Sequence, residues 1–559
     1  MHSFTSFNAG IPVCSTPTRR HSSRRGLRVF AVATPPSSST NHTAPKTPKA
    51  PKVVVVGGGW AGFGAAKHLS QQGYDMTLLD AAPNPGGLST GFRTKKGNAV
   101  EAGMKGFWYQ YHNIFALVEE LGIEWPFTEF TRSGFWCPEG LTTEGPVFSE
   151  LPRFPALLGQ FIHTTALFRR VSLPDQLTMF NMLYPVIDFD SSQETYKQYD
   201  QMTARELFKQ WGISESLYRD FLKPLLLVGL FAPPEEISAA AMIGTMYFYA
   251  LAHQNDFDIC WCKGSVAEKL FNPLVNAISD AGGDVRGNQI MTDIELNEQG
   301  DICAVLTRDP KTGESSRYEA DAVVFAISIK GMQKLVAACP SLAKLPEFRR
   351  VSNLKGIDVI ATRLWFDKLV PTKFPSNVLS GFEDDVGGTF FNLNVLQDEY
   401  KGSEGSVIAA DFYHSNTLMP RSDEDIVEFT RQCLATCEPG FEDAKVIDSA
   451  VLKFSGAVTH FSPGSYASRP TQETSIPSLI LAGDWVKGVP HGANGLSQER
   501  AYVTGLLAAN MVVDKLGKGE HAKVLDVEAD EPHIAALKDL NKNVKKQMDM
   551  LGLTGNLIK

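Results

Sequence analysis

No aspartate or glutamate precedes Asp75 in this 559-residue chain. Five arginines (Arg19, Arg20, Arg24, Arg25 and Arg28) lie instead among many serines and threonines. This absence of acid is the composition of an organelle transit peptide, expected over residues 1–33 and of the chloroplast kind. A Pro/Ser/Thr-rich linker, residues 34–51, follows and should be flexible or polyproline-like. Long apolar runs are missing too: no charge-free apolar stretch reaches the ~18–20 residues of a spanning helix. The nearest, 237–252, carries Ser238, Gly244 and Thr245, which suits a buried helix or a monotopic membrane-contact segment. The eight cysteines never form the paired CxxC spacing of a zinc site. Cys260-Trp-Cys262 and the Cys433/Cys437 pair are therefore expected to be inert thiols, and no metal is expected. Excess positive charge is also lacking. A formal net charge of −9 argues against a dedicated nucleic-acid binder.

What is present begins with an apolar content of 43% and a charged content of 21%, values of a soluble globular protein. The length favours two lobes over one core. Lys52-Val53-Val54-Val55-Val56 is a β-branched run of the kind found in fully buried parallel strands. It enters Gly57-Gly58-Gly59-Trp60-Ala61-Gly62, then an amphipathic stretch to about Gly73, then a strand from Asp75 to Leu79 that ends at Asp80. A GxGxxG turn between strand and helix, with an acid about twenty residues on, is a dinucleotide-binding pattern. Gly57 permits the tight turn and Gly59 lets backbone approach a pyrophosphate. Gly62 allows close helix–sheet packing, and the helix N-terminus offers free N–H groups. Asp80 would accept from ribose hydroxyls and disfavours a 2′-phosphate, which leaves FAD or NAD.

The residues after Asp80 separate those two. Ala81-Ala82-Pro83-Asn84-Pro85-Gly86-Gly87-Leu88 places a second glycine pair beyond the ribose site, and Glu101-Ala102-Gly103 precedes Lys105-Gly106 and the aromatic run Phe107-Trp108-Tyr109. Such an extension lets a long cofactor continue past its pyrophosphate. Near the other end, "LAGDWVKGVPHGANGLSQERAYVTG" breaks an apolar run at Gly483-Asp484-Trp485 and resumes as a helix near Ser497-Gln498-Glu499. Two further buried strands are expected, one alternating from Gly282 through Ile294 and one over 320–326.

In these features the sequence resembles the flavin amine oxidoreductase superfamily, and within it the carotenoid desaturase group, over roughly residues 53–515. That group comprises phytoene and zeta-carotene desaturases, carotene isomerases and aromatic-ring-forming desaturase/methyltransferases. "EAGMKGFWYQYHNIFALVEELGI" shares the group's Glu-x-Gly frame, with Tyr111 and Asn113 in register, and "LAGDWV" carries its Ala-Gly-Asp-aromatic form. "KGFWYQY", "PLLLVGLFAP" and "GVPHGANGLSQERAYVTG" look most like the ring-modifying branch. The resemblance implies an α/β fold, a Rossmann-like FAD-binding domain interleaved with an α+β substrate domain. The FAD-binding parts are expected at 52–106, 265–331 and 450–515, and the substrate parts at 107–264 and 332–449. A tail, 516–559, follows.

It further implies FAD contacts at Gly57, Gly59, Ala61, Gly62, Asp80, Ala81, Gly87, Leu88, Lys105, Gly106, Tyr111, Met291 (backbone to adenine), Asp484 and Gln498. Leu88, Lys105 and Gln498 depart from the group's usual basic residue, His and Met, respectively. The small Gly505, Ala508 and Ala509 would let the last helix lie on the sheet, while Trp485 faces flavin or core. The implied chemistry is hydride abstraction from an allylic C–H onto flavin N5, then loss of a neighbouring proton. A 1,2-methyl shift before that loss leads toward an aromatic ring. Trp108, Tyr109 or Tyr247 could stabilise the cation by about 0.5–2 kcal/mol each. No catalytic residue stands out, and His253 and His491 are expected to be structural.

Ile534, Leu537, Leu540, Val544, Met548 and Leu551 recur at helical spacing with Lys542, Lys545 and Lys546 opposite. That amphipathic helix would dock on the body or lie on a membrane surface. The leading expectation is a plastid FAD enzyme, stromal or peripheral on thylakoid or envelope membrane, that acts on an apolar carotenoid and passes electrons to a quinone. A flavin-dependent cis–trans isomerase and a non-catalytic flavin or pigment binder are the other two readings.

Overall fold

The computed structural model describes residues 50–189, 193–489, 491 and 495–551; the transit-peptide reading and nearly all of the linker reading lie outside them. The valine run of Lys52–Val56 is the middle strand of a five-stranded parallel sheet. Asp75–Leu79 and then Asp284–Arg286 continue on one side, Ala322–Phe325 and Leu479–Leu481 on the other. Both faces of such a sheet are covered, which is why its strands are runs of Val, Leu and Ile rather than alternating. One face carries the Trp60–Gln71 helix, and the Gln498–Leu516 helix crosses that helix. A Cβ on Gly505 would lie 2.0 Å from the Ala61 carbonyl oxygen, and one on Gly64 would lie 2.7 Å from that of Tyr502. The smallness of Gly505 thus serves a helix–helix crossing; the sheet, which the sequence reading invoked, is met by other residues of the same helix.

The opposite face carries a three-stranded antiparallel sheet, Ile290–Leu296, Ile302–Arg308 and Ser315–Glu319. The single strand expected from Gly282 through Ile294 is therefore two strands in two sheets. Gly287 and Asn288 turn the chain between them. Asn288 takes φ 55°, and a Cβ on Gly287 would sit 2.3 Å from the Pro83 carbonyl oxygen.

A second, seven-stranded sheet runs in the order Val446–His460, Lys355–Phe366, Val407–Tyr413, Gly387–Asn392, Ser376–Leu379, Ser133–Cys137, Gly140–Gly145. All pairs are antiparallel except Ser376–Leu379 with Ser133–Cys137. The boundary expected at 450 falls inside Val446–His460. That strand pairs along its length with Lys355–Phe366, so the chain leaves this sheet only after His460. The boundary expected at 106/107 likewise falls inside Gly106–Trp108, which pairs with Ile259–Trp261. Short helices between Leu158 and Leu251 pack on one side of the large sheet, through a core that includes Ile357, Val458 and Phe461.

The apolar 237–252 segment forms the Ala239–Met246 helix and a π-helical turn, Tyr247–Leu251. Every residue of that helix is buried, so it is a core helix and has no membrane-facing side. No helix among the described residues is long and apolar enough to cross a membrane. The C-terminal amphipathic helix is Pro532–Met550. It docks through Ile534 and through polar groups: Lys545 and Asn541 meet Asp188, and Lys538 meets Asp530. Leu537, Leu540 and Val544 remain exposed.

Candidate functional site

The turn after the first strand is built around Gly57, at φ 106°. Its N–H donates to the Leu79 carbonyl at 2.8 Å, and a Cβ there would lie 2.3 Å from the Ala326 oxygen. Gly62 is equally constrained, since its Cβ would lie 1.8 Å from the Gly57 oxygen. Gly59 differs. The nearest atom to a Cβ on it is Gly87 Cα, 3.8 Å away, so the second glycine turn lies against the first at van der Waals distance. Gly59 also caps the Trp60–Gln71 helix without any side-chain acceptor, leaving first-turn N–H groups free for an anion. Asp80 accepts from Gly58 N at 2.6 Å and Ala82 N at 2.7 Å, and burial raises its carboxyl despite those bonds. Ala61 is buried in the first helical turn, Ala81 is exposed beside Asp80, and Leu88 lines the cavity described below. Met291 is outside that cavity, half-buried against the core. The residues before it touch the acid's turn: Gln289 N donates to Asp80 O at 2.8 Å and Asn288 N to Ala82 O at 3.0 Å.

The Asp-Trp turn is the second wall. Gly483, at φ 135°, ends the Leu479–Leu481 strand and donates to Thr504 Oγ1 at 2.8 Å. Asp484 is half-buried and lines the cavity, and desolvation pushes its carboxyl up to about 6. Trp485 faces core: its Nε1 donates to Ile327 O at 3.1 Å, and it is 2% exposed. Two buried guanidinium groups, which the sequence reading missed, hold the turn. Arg500 donates to the carbonyls of Asp484 (3.1 Å), Val486 (2.9 Å), Val489 (3.0 Å) and His491 (2.5 Å). Arg469 donates to those of Trp485 (2.7 Å) and Val486 (3.1 Å). The only signal for Arg500 was a cation in the first turn of an otherwise apolar helix.

Gln498 opens that helix. It accepts from Trp60 Nε1 at 3.0 Å and donates to Gly106 O at 3.0 Å. Glu499 is buried and accepts from Asn113 N, Asn113 Nδ2 and Ile114 N at 2.8, 2.8 and 3.0 Å, with burial lifting it to about 7. Tyr111 OH pairs with Tyr249 OH at 3.0 Å. Lys105 is half-buried, its Nζ donating to Ala102 O and Gly103 O at 2.9 Å each, and desolvation lowers its pKa.

Gln498, Tyr111, Tyr249 and Lys105 border a cavity of about 390 Å³ that passes from Gly59, Leu88 and Gln498 over Lys105 and Gly106 into an apolar chamber. A second apolar cavity of about 150 Å³ shares Phe135, Leu225, Met246, Ala250 and Phe257 with it as wall. Trp108 lines the larger cavity, whereas Tyr109 and Tyr247 do not. Tyr247 is turned to Asp530 and lies under Lys538 Nζ, 4.0 Å from its ring centre; Tyr249, Trp261 and Tyr413 supply aromatic wall in its place. His253 is structural, held by Asp256 and the Ala529 carbonyl; burial alone would lower it, but these partners hold it up to about 9. His491 is buried and pushed down to about 4 by that burial. Burial also pushes the Cys260 and Cys262 thiols up to about 12, which makes them inert at neutral pH. Among the described residues no group of three His, Cys, Asp or Glu is placed to hold a metal ion.

The residues fit FAD. A glycine-lined cradle with free helix N–H groups lies beside the Asp80 carboxyl, and the cavity runs from Gly59, Gly86 and Leu88 toward Asp484 and Gln498. Comparison with known proteins agrees. The model of the flavin containing amine oxidoreductase family matches residues 60–513. The 15-cis-phytoene desaturase of Solanum lycopersicum is 25% identical over 481 residues, 85% of this chain and 80% of that protein. A probable zeta-carotene desaturase of Synechococcus elongatus is 24% identical over 458 residues, 78% of this chain and 94% of that protein. Among solved structures, cyclohexylamine oxidase from Brevibacterium oxydans superposes with a TM-score of 0.60 at 15% identity, covering 84% of this chain and all of that one.

Proposed function

The chain belongs to the flavin containing amine oxidoreductase family and is an FAD-dependent oxidoreductase, and from that premise we propose that it desaturates a carotenoid in the plastid. The observation that carries this reading is the pair of apolar cavities, one of which runs back to the cradle residues. A long hydrocarbon with no polar handle is the ligand such walls accept. The curated relatives named as phytoene and zeta-carotene desaturases support the same class.

Bound FAD supplies a two-electron acceptor for hydride. The protein's residues do the rest. Gly57, Gly59, Ala61 and Gly62 receive the pyrophosphate at the helix N-terminus, Asp80 and Ala81 the ribose, and the Met291 backbone the adenine. Gly87 and Leu88 carry the cofactor onward, and Lys105, Gly106, Tyr111, Asp484 and Gln498 enclose its reactive half. The FAD-binding lobe comprises 52–105, 265–331 and 461–516; 106–264 and 332–460 form the substrate lobe. Trp108, Tyr249 and Trp261 exclude water and offer π faces to an allylic cation. A 1,2-methyl shift in that cation would direct the product toward an aromatic end ring.

Exposed apolar side chains support peripheral membrane contact. Leu158, Ile162, Leu173 and Leu177 are exposed beside Phe161, Met179 and Phe180, which line the smaller cavity. The exposed Leu537, Leu540 and Val544 lie on a helix tied to Asp188. A substrate dissolved in lipid would enter there, and a quinone in the same lipid would reoxidise the enzyme. Plastid residence is supported by the composition of 1–33 and by plant relatives named chloroplastic.

Expression in bacteria that accumulate phytoene, zeta-carotene, lycopene or β-carotene tests the proposal. One pigment should be replaced by a product two hydrogens lighter. Unchanged pigments in all four hosts would overturn it, and an isomer formed only after dithionite reduction would indicate the isomerase reading.

A further inference from the structure

Val407–Tyr413 is a wholly buried strand in the large sheet, and it puts one acid, Asp411, into the wall of the larger cavity. Its Oδ2 accepts from Met104 N at 2.8 Å. Its Oδ1 is buried and has no hydrogen-bond partner among the described residues. A carboxylate in that position has lost water without regaining donors, and taking up a proton relieves the cost.

The charged and titratable groups around it come from four segments. Lys105, on the loop before Gly106–Trp108, is held by the carbonyls of Ala102 and Gly103. Glu101 accepts from Val266 N at 2.8 Å and lies 3.5 Å from Arg363 Nη2, on the Lys355–Phe366 strand. Tyr413, two residues on, pairs with Thr389 Oγ1 at 2.9 Å. Burial raises Asp411 and outweighs Lys105 and Arg363, leaving its carboxyl at about 6. It can therefore be charged before a proton arrives and neutral afterwards. Asp484, the other acid in the wall, lies in the Gly483–Trp485 turn proposed to hold FAD, and its charge faces Arg500 and Arg469.

We propose that Asp411 is the proton acceptor of the desaturation, an assignment that rests on the carotenoid reading above. One substrate C–H bond breaks with its electron pair going to the flavin, the oxidant of the couple. The neighbouring carbon then gives its proton to the Asp411 carboxylate. The electron pair of that second C–H becomes the new double bond, and Asp411 ends as the neutral acid.

The test uses FAD-loaded enzyme with the carotene identified in the bacterial hosts. Infrared titration without substrate, taken as wild type minus Asp411→Asn so that the bands of Asp484 and Glu499 cancel, should show a protonated-carboxyl band with a midpoint near 6. Single-turnover formation of the lighter product should fall on the acid side of the same midpoint. Asp411→Asn should form it about 100-fold more slowly and without the inflection, while Asp411→Glu should keep an inflection. A purely packing role would leave the pH profile in place. An Asp411→Asn enzyme that keeps both the wild-type rate and the inflection overturns the assignment, as does the absence of that difference band. A wild-type enzyme inert toward every carotene instead overturns the functional reading, and this proposal with it.

Discussion

Trp60 Nε1 donates to Gln498 Oε1 at 3.0 Å across 438 residues of chain, so the N-termini of the first and last helices of the FAD-binding lobe are tied side chain to side chain. Gln498 Nε2 extends the tie to Gly106 O. Gln498→Ala leaves that carbonyl without its donor, and Trp60 keeps only Ser89 Oγ. A loss of about 1–2 kcal/mol in unfolding free energy is expected, with a lower FAD content per protein in the purified variant.

The glycines of the first turn should separate by role. Gly62→Ala would drive a Cβ to 1.8 Å from the Gly57 oxygen and should prevent folding or cost several kcal/mol, on the order of the worst core substitutions. Gly59→Ala meets nothing within 3.8 Å. It should leave the thermal stability of FAD-free protein nearly unchanged while weakening FAD binding at least about tenfold, because the methyl group occupies the pyrophosphate's approach. Equal destabilisation in both variants would contradict this division.

Buried acids predict a pH dependence of stability. Asp411 and Asp484 are raised to about 6 and Glu499 to about 7. A carboxyl with a folded pKa above its unfolded value binds protons more tightly when folded, so stability is greatest below the unfolded pKa and is lost as pH rises through the folded one. The window here is roughly pH 4 to 7. Asp411→Asn removes one such group. Its gain over wild type should be absent near pH 4 and reach about 3 kcal/mol above pH 7, measured by denaturant unfolding at each pH.

The exposed stripe on the C-terminal helix makes a separate prediction. Leu537, Leu540 and Val544 contribute little to the core, so replacing all three with serine should change unfolding by less than about 1 kcal/mol. Flotation with vesicles of plastid-like lipid should nevertheless fall several-fold. Unchanged flotation would remove this helix from the membrane contact.

The parts of the site legible in the sequence were local ones. Gly57, Gly59, Gly62 and Asp80 lie within one strand–turn–helix–strand unit, and the Gly483-Asp484 turn declares itself by stopping an apolar run. Contacts made across the fold carried no such signal. Asp411 is one acid in a buried strand, and only the sheet topology places it against Gly103 and Met104. Arg469 and Arg500 look like surface cations until the carbonyls they bind are seen. The 282–294 stretch read as one strand because alternation survives the Gly287–Asn288 turn, and Val446–His460 read as two lobes because its pairing partner is about ninety residues away.

The most direct test of the central claim is anaerobic mixing of the purified, FAD-loaded protein with each carotene, following flavin absorbance and product mass together. One carotene should bleach the flavin stoichiometrically and leave as a product two hydrogens lighter. A flavin that stays oxidised with all of them, in protein that binds FAD normally, would contradict it.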